Sequence, residues 1–488
     1  MDKKIEEARQ EFNAILDFIL GTALGLEIHK VEEGIYRKLL RLGRILLELF
    51  VLAAGTGKAG ETLIDEDGAT YRYLRDSRRR YLSIFGEVTI VRAYYARQGR
   101  KGLFPLDARL NLPRRKYSYV LQDWMTFNAV GASYERAAAG INRRLYLELA
   151  HRPIQEVARD CTAAVEEFMD SSAPPAPETE GPILVHTADC KGIRMRPEER
   201  NVNQTPTKDK PGEKRMACVA LTYTIHPHLR PNEAIADTFF GPAGSKKDKV
   251  KDPHRPKPLF RRTFASLKDK KSAVFHRSTQ SAKSRIHTGT KEKLSLMDGE
   301  IALKNRSHEF LRDWPEALDI THVVGRLRIA GQLHYGDGPA AHEYGRELLL
   351  SLLEGKVDDV IEDFETALED GTLSKSKQEE LKTKALGYFR NNRYRMAYDR
   401  LLAKGLPIAS GVVESACNSL INTRMEGAGM FWSVDGAEAM LKLRGVFLDD
   451  LWDEFHAFRI NREKKKLYGK YDNIKANTIE NVKRKKAA

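Results

Sequence analysis

The spacing of apolar residues divides the first third of the chain into three stretches. Across residues 3–55 apolar side chains recur every three or four positions, which predicts two amphipathic helices. Across residues 62–96 β-branched and aromatic residues alternate with polar ones around turn residues, which predicts a β-hairpin. Helical spacing returns over residues 113–169. Within it, residues 133–142 and 153–168 are compatible with a helix-turn-helix, although most such helix pairs are simply packed helices.

A Pro- and Glu-rich stretch, residues 171–182, follows and is typical of a linker between domains. The apolar runs after it predict three strands, then a helix-bearing segment, a fourth strand, a helix and a fifth strand. These strands are ILVHTAD (183–189), MACVALTYTI (216–225), AIADTFF (234–240), KLSLMDG (293–299) and ALDITHVV (317–324). Residues 325–404 have helical spacing throughout.

A short helix carrying an acidic residue is predicted after this helical region. Gly405 and Pro407 end the preceding helix, and Ser410 can accept hydrogen bonds from the first turn of a new one. Glu414 then lies on the first or second turn of that helix. On its own, a glutamate in a first turn is more often a capping choice than a functional group. Two further carboxylates, Asp189 and Asp298 at strand ends, change that interpretation.

The segment IASGVVESACNSLINTRMEGAGMFWSVDGAEAMLKLRG (408–445) resembles the C-terminal signature of bacterial insertion-sequence transposases that have an RNase H-like DDE core. The resemblance is to the ISKra-four group, whose members have a similar SG-x-x-E helix, a Gly-Met-x-Trp turn and an Ala-Glu-x-x-Leu-x-Leu-Arg helix. Three other segments resemble the N-terminal hairpin region and the post-core strand of that group. They are RYLSIFGEVTIVRAYYA (80–96), LFPLDARLNLP (103–113) and WPEALDITHV (314–323).

The resemblance implies an α+β multidomain protein with an RNase H-like mixed-sheet core, in which Asp189, Asp298 and Glu414 are catalytic residues and metal ligands. Such carboxylates can hold two Mg²⁺ ions about 3.5–4 Å apart, which neutralise charge on the attacking and leaving oxygens of a phosphodiester. Mn²⁺ is the expected substitute. Asp298 fits a turn equally well and Asp319 competes for the second position; we prefer Asp298. Relatives generally have a small residue where this chain has Glu300.

Two other residues near these carboxylates have competing interpretations. His322 is expected to cap or pack against the fifth strand rather than to bind metal. Trp432 either stacks on a DNA base or packs in the core.

The positive charge of the chain is concentrated in two segments. The 488 residues carry a net charge of +14, and the sequence pI is about 9.3. Residues 245–293 account for +12 and residues 461–488 for +7. Such a distribution indicates a polyanionic partner, most simply nucleic acid, and the alternative is a solvated loop and tail. We treat 245–293 as a basic insertion whose predicted phosphate contacts are Lys246, Lys247, Arg261, Arg262, Lys270, Lys271, Arg277 and Arg285.

The cysteines argue against zinc. Four of them lie far apart with no C-x-x-C pair, which also argues against a disulfide scaffold and fits a reducing compartment. Relatives commonly carry a close-spaced cysteine pair after the Tyr-Tyr of the hairpin, where this chain has Ala96. We therefore expect no zinc, and direct phosphate contacts from Arg97, Arg100 and Lys101 instead.

No targeting or membrane segment is expected. Residues 1–7 are too charged for a signal peptide, and the longest apolar run, 45–55, is too short to span a bilayer. The expected location is the bacterial cytoplasm, with association with the nucleoid when DNA is bound.

The resulting prediction is a DDE transposase that cleaves double-stranded DNA at terminal inverted repeats and joins 3′-hydroxyl ends to target DNA, as a homodimer on paired ends. The alternatives are an RNase H-like structure-specific nuclease without strand transfer, and a non-catalytic DNA-binding protein derived from a transposase. A chain of this length exceeds one core. The predicted regions are N-terminal helices (1–58), a DNA-end-binding hairpin and helical region (59–170), a linker (171–182), the first part of the core (183–324), a helical insertion (325–404), the C-terminal part of the core (405–460) and a basic tail (461–488).

Overall fold

The computed structural model describes residues 1–65, 67–200, 213–241, 255–286, 291–427 and 429–469, with the backbone of 475–476. The chain forms two compact units. Unit 1 comprises Met1–Ala164 with Trp452–Ala488, and unit 2 comprises Val165–Leu451. Both contain helices and sheets, so the α+β class expected from the sequence is confirmed at this level. The boundary falls before the predicted linker, whose Glu180 is buried in unit 2.

Unit 1 combines helices with an antiparallel sheet. Its helices, numbered in chain order, are α1 (Asp2–Leu20), α2 (Ile28–Ala54), α3 (Pro105–Arg109), α4 (Tyr119–Gly131), α5 (Tyr134–Leu145), α6 (His151–Thr162) and α20 (Trp452–Tyr468). Its strands are β1 (Thr62–Ile64), β2 (Thr70–Ser83), β3 (Gly86–Ala96) and β9 (Lys475–Ala476), in the order β3-β2-β1-β9. The two amphipathic helices and the hairpin predicted from the sequence are α1, α2 and the β2–β3 pair.

The α1–α2 hairpin is held in one antiparallel register. Lys4 Nζ lies 2.6 Å from a Glu48 carboxylate oxygen, and seven residues further along α1, Glu11 pairs with Arg41 at 2.9 Å. Seven residues forward along α1 thus correspond to seven residues backward along α2, as antiparallel helices require.

The C-terminal helix α20 completes unit 1. Trp452 Nε1 donates to Asp123 of α4 at 2.8 Å, and Arg459 donates to Gln122 at 3.0 Å. The predicted assignment of residues up to 460 to the core is therefore corrected, because α20 packs with the N-terminal elements. Its residues 461–468 are helical rather than part of a loose tail.

Unit 2 is a five-stranded sheet with helices around it. Its strands are β4 (Ile183–Arg194), β5 (Lys214–Ile225), β6 (Leu259–Ser266), β7 (Glu292–Met297) and β8 (Glu316–Leu318). Its helices are α7 (Val165–Ser171), α8 (Asn232–Phe240), α9 (Lys271–Lys283), α10 (Ile301–Phe310), α11 (Ile320–Tyr335), α12 (Pro339–Leu353), α13 (Val357–Glu369), α14 (Lys375–Leu381), α15 (Gly387–Asn392), α16 (Tyr398–Ala403), α17 (Gly411–Cys417), α18 (Thr423–Met425) and α19 (Val434–Leu448).

The sheet of unit 2 has the order β6-β5-β4-β7-β8. Strands β4, β5 and β6 pair antiparallel, whereas β4, β7 and β8 run parallel. Strands β7 and β8 therefore end together beside the middle of β4, which continues to Arg194.

The third and fifth strands differ from the prediction. AIADTFF forms helix α8, with Ile235, Ala236 and Phe240 on its buried face, and this helical spacing prevails over the β-branched and aromatic content. The third strand is β6, inside the segment that we predicted as a basic insertion. The fifth strand ends at Leu318, because the Asp319 side chain caps helix α11.

The predicted helical insertion is helical but shares its core with the sheet. Val185 of β4 and Leu296 of β7 belong to the same buried cluster as Leu349, Phe364 and Phe389 from the helical region. Residues 325–404 therefore cover one face of the sheet and form part of the same hydrophobic core.

Candidate active site

Two of the predicted carboxylates lie side by side where β7 ends beside the middle of β4, which continues past Asp189 to Arg194. Ala188 of β4 is in register with Met297 of β7, so Asp189 and Asp298 occupy the next position on adjacent strands. Asp189 Oδ1 accepts from the Cys190 amide at 2.6 Å, and Asp298 Oδ1 accepts from the Glu300 amide at 3.0 Å. The sheet register thus brings together two side chains that are 109 positions apart in the sequence.

The third predicted carboxylate comes from helix α17, which packs against β4 and β5. Gly411 begins this helix and Glu414 lies exposed on its first turn. A cleft of about 400 Å³ contains all three carboxylates. Its lining residues are Ala188, Asp189, Cys190, Lys191, Asp298, His322, Ser410, Val413, Glu414, Cys417, Asn418 and Asn422.

Asp319, the alternative second ligand, has a different environment. Its side chain is fully buried, and Oδ1 accepts from the amides of Thr321 (3.0 Å) and Ser410 (3.2 Å). Oδ2 accepts from the Ser410 hydroxyl at 2.6 Å. Asp319 therefore joins the start of α11 to the start of α17, and the fold already uses both of its oxygens.

Two carboxylates of the cleft have raised pKa values, and Lys191 is a cationic residue in its lining. Burial and the nearby charge of Asp189 raise the pKa of Asp298. Partial burial, followed by the charges of Asp319 and Asp189, raises the pKa of Glu414. Among the residues that the structure describes, neither these two carboxylates nor Asp189 pairs with a lysine or arginine. The donor set consists of hard oxygen ligands whose mutual repulsion a divalent cation would relieve, which fits Mg²⁺ or Mn²⁺.

The helical region supports the turn that carries Asp298. The Arg395 side chain is buried and donates to the carbonyls of Asp298 (2.9 Å) and Met297 (3.1 Å). Gly299 lies so close to the ring of Tyr388 that a Cβ there would come within 2.3 Å of it. The elements that fix this turn are thus remote in sequence from the strand that it follows.

His322 is a cleft residue whose position the sequence interpretation missed. It lies on the first turn of α11 rather than on a strand, its side chain is about half exposed, and Nε2 lies 3.8 Å from Asp319. Donor atoms of His322, Glu414 and Asp319 all lie within 4.8 Å of one another. The available signal was the spacing Asp-x-x-His, which places a histidine beside the capping aspartate once a helix, not a strand, is assumed.

Asn418 and Asn422 were also missed. They follow Glu414 at intervals of four residues and line the same cleft. Both belong to a π-helical turn, Asn418–Asn422, that continues α17, and such turns are frequent at functional sites.

The predicted phosphate contacts of the basic segment are largely used within the fold. Arg285 is buried and donates to Glu180 at 2.6 Å. Arg261 donates to the buried Asp449 at 2.8 Å. For Arg285 the prediction is corrected, because this buried side chain neutralises a carboxylate that has no access to solvent. Arg261 also neutralises a buried carboxylate, but its side chain is about a quarter exposed and lines the larger cleft described below, so its phosphate contact stays a prediction.

The remaining cations of this segment differ in exposure. Arg277 pairs with Asp170 (3.1 Å), and Lys271 pairs with Glu300. Arg262 is half-buried on β6, whereas Lys270 is exposed at the start of α9. Lys246 and Lys247 lie outside the described residues.

The predicted DNA contacts in the hairpin and at Trp432 have different environments in the structure. Arg97 and Lys101 are exposed in unit 1, whereas Arg100 pairs with Asp67 at 2.9 Å. Trp432 is buried, and its Nε1 donates to the carbonyl of Met425 at 3.0 Å. The base-stacking interpretation of Trp432 is therefore corrected in favour of packing.

A larger cleft of about 1700 Å³ lies on the other side of α17 in unit 2. Gly411, Val412 and Ser415 contribute to it, whereas Glu414 lines the smaller cleft. Its basic and imidazole side chains outnumber its one carboxylate, Asp237. They are His226, His228, Arg230, Arg255, Lys257, Arg261, Arg328 and His342.

Comparison with known proteins gives matches over parts of the chain. The model of an uncharacterised protein family, UPF0236, matches residues 22–173, which end before the first cleft residue. The UPF0236 protein in the vanSb 3′ region of Streptococcus gallolyticus is 27% identical over 109 residues, 22% of this chain and 24% of that protein. The chain thus spans about a quarter of the length of the curated relative that it matches. Among solved structures, the Drosophila P element transposase strand transfer complex aligns with a TM-score of 0.25 and 8% identity, over 70% of this chain and 81% of that chain.

In the described part of the chain, no helix combines the length and apolar character that crossing a membrane requires.

Proposed function

We propose that the protein is a DDE-type DNA transposase, with Asp189, Asp298 and Glu414 as its catalytic carboxylates. The observation that carries this proposal is their convergence in one cleft, from the middle of β4, the end of the adjacent parallel strand β7 and a helix. None of the three is used by a lysine or arginine ion pair among the described residues, whereas Glu300, two residues after Asp298, pairs with Lys271. Asp319 is a supporting residue in this proposal.

The topology of unit 2 supports an RNase H-like core. Three antiparallel strands are followed by two parallel ones, with the first strand central in the order β6-β5-β4-β7-β8. The first carboxylate lies on the central strand and the second directly after the fourth. This is the arrangement that the C-terminal resemblance implied, although β6 replaces the strand predicted at 234–240.

The three carboxylates would hold the metal ions. When bound, two divalent cations neutralise charge on the attacking and leaving oxygens and lower the pKa of the attacking water. The protein's own contribution is to fix the carboxylates on rigid elements. Arg395 holds the Asp298 turn through two carbonyls, and Asp319 holds the start of the Glu414 helix through Ser410.

The charge distribution of unit 2 supports a polyanionic substrate. The larger cleft beside α17 is lined by cationic and imidazole groups, and exposed cations such as Lys270 lie at the start of α9. Electrostatic attraction of this kind is independent of base sequence. The choice of DNA ends as the substrate rests on the resemblance of residues 408–445.

The test is a cleavage and joining assay on labelled DNA that carries the terminal repeats flanking the gene, with Mg²⁺ or Mn²⁺. The wild-type protein is expected to release 3′-hydroxyl ends and to join them to a target duplex, and Asp189→Asn is expected to do neither. Asp313→Asn is the matched control, because Asp313 is exposed and outside the cleft.

The other outcomes decide between the alternatives. Cleavage of branched DNA without any joining would replace the transposase with a structure-specific nuclease. DNA binding with no metal-dependent cleavage in the wild-type protein would leave a non-catalytic binding protein. Equal activity of Asp189→Asn and wild type would remove the cleft from the mechanism.

A further inference from the structure

The α1–α2 hairpin carries an exposed apolar face in addition to the face that packs within unit 1. Its inward-facing residues include Ile15 and Ile45, which are buried. The outer face is formed by Phe12, Leu16 and Leu20 of α1 and by Leu39, Leu46 and Phe50 of α2, which are 41–73% exposed. Hereafter these six residues are called the outer face.

The outer face is continuous along each helix. Residues 12, 16 and 20 are four apart, and residues 39, 46 and 50 are seven and four apart, so each set forms one stripe. An α-helix turns by about 100° per residue, so each stripe lies roughly 140° around its helix from the side that faces the other helix. Viewed from the N-terminus of each helix, the sense of this rotation is the same in both. Because the helices are antiparallel, the two stripes emerge on the same side of the hairpin.

The exposed apolar side chains of the hairpin add up to a large area. Leu24 and Ile28, at the turn between the helices, are 79% and 81% exposed. Taken with the outer face, they present on the order of 1,000 Å² at roughly 200 Å² per fully exposed large side chain. A stable protein–protein interface buries about 800 Å² on each partner.

The charge of the hairpin indicates what covers this face. Residues 1–54 contain eight Lys and Arg and nine Asp and Glu, a net charge of −1 in a chain of net charge +14. A nearly neutral, apolar surface does not attract a polyanion, and it avoids the repulsion that the basic parts of two identical chains exert on each other. It is self-complementary in the way that a two-fold interface requires.

We propose that the outer face is the surface through which two copies of this chain associate, with the α1–α2 hairpin of one copy packing on that of the other. The inference is independent of the proposed function, because it concerns residues of unit 1 alone. It predicts an isologous interface that forms with or without DNA or metal ions.

The first experiment measures the mass of the full-length protein in solution by light scattering coupled to size exclusion. Wild type is expected at twice 55.4 kDa and Leu39→Glu/Leu46→Glu at 55.4 kDa. Both positions are exposed, so circular dichroism should show an unchanged fold. The control is Leu74→Glu/Ile301→Glu, which adds the same charge at exposed apolar positions outside the hairpin and should remain dimeric.

The second experiment tests the geometry. Single cysteine substitutions at the six outer-face positions should include at least one that forms a disulfide-linked dimer under mild oxidation, because residues near a two-fold axis face their own copies, whereas wild type with its four native cysteines should not. A wild-type monomer at about 10 µM, or a dimer that persists in Leu39→Glu/Leu46→Glu, would overturn the proposal. A monomer that co-floats with lipid vesicles through these leucines would assign the outer face to a membrane surface instead.

Discussion

The basic segment 255–286 and the carboxylate cleft lie in the same unit but use their charges in opposite ways. In the basic segment Arg261 and Arg285 are committed to buried carboxylates, although this is the most cationic part of the chain. In the cleft, Asp298 and Glu414 lack a cationic partner among the described residues and have raised pKa values. Charge density along the sequence therefore does not distinguish the charged groups that the fold neutralises from those that it leaves without an ion pair. Only the tertiary structure makes that distinction.

The largest effect is expected from Glu414→Gln, which tests the unpaired side of this comparison. Under the proposed function, cleavage should fall by at least about a thousandfold, because one metal ligand is lost while the helix is kept. Steady-state assays in Mg²⁺ measure this. Glu426→Gln is the control on the same segment, since Glu426 pairs with Lys214 outside the cleft. Retained cleavage in Glu414→Gln would place the active site elsewhere.

A large effect on stability is expected from Arg285→Ala, which tests the paired side. Removing this arginine leaves Lys291 as the remaining partner of the buried Glu180, and losing a hydrogen bond to a charged group costs about 1.5–3 kcal/mol. Urea unfolding of the full-length protein measures the loss. Lys283→Ala, at the exposed last residue of α9 and two positions before Arg285, should change little. Unchanged stability with weakened DNA binding would restore the original phosphate-contact prediction for Arg285.

Asp298→Asn is expected to change stability less than Arg285→Ala does, and to raise it rather than lower it in the metal-free protein at neutral pH. Since the folded-state pKa of Asp298 is raised, this group stabilises the metal-free protein at low pH, and that contribution is lost as the pH rises through the folded pKa. At pH 7.5 in EDTA the variant should therefore melt about a degree or two higher than wild type.

The same variant should lose most of the gain in melting temperature that Mg²⁺ gives wild type. Thermal melts at pH 5.5 and 7.5, with EDTA or Mg²⁺, measure both effects. If Asp319→Asn abolishes cleavage without destabilising the fold while Asp298→Asn remains active, the second carboxylate is Asp319.

The smallest effect is expected from single exposed cations of the basic segment. Lys270→Ala should weaken DNA binding about equally for all sequences and reduce the slope of log affinity against log salt by up to about 0.9. Lys271→Ala, whose ammonium pairs with Glu300, should change the slope less. Fluorescence anisotropy across a salt series distinguishes the two. Equal slopes for Lys270→Ala, Lys271→Ala and wild type would mean that neither residue contacts phosphate.

Local patterns were sufficient where one periodicity was clear. The amphipathic spacing of α1 and α2, the alternation in β2 and β3, and the position of Glu414 after Ser410 all follow from neighbouring residues. They failed where two tendencies competed. AIADTFF has strand-like residues but helical burial, and ALDITHVV has β-branched residues after an aspartate that caps a helix. In both cases the packing of one face decided the outcome, which short segments cannot specify.

By itself the sequence determined that this protein has a basic, α+β chain with a helical hairpin at its start and carboxylates at the ends of two apolar runs. Only the tertiary structure decided that Asp298 lines the cleft while Asp319 is buried beneath it. It also decided that Arg285 is paired within the core and that His322 faces Glu414. The physical reason is that burial and pairing depend on residues remote in the chain, such as Glu180 for Arg285 and Ser410 for Asp319.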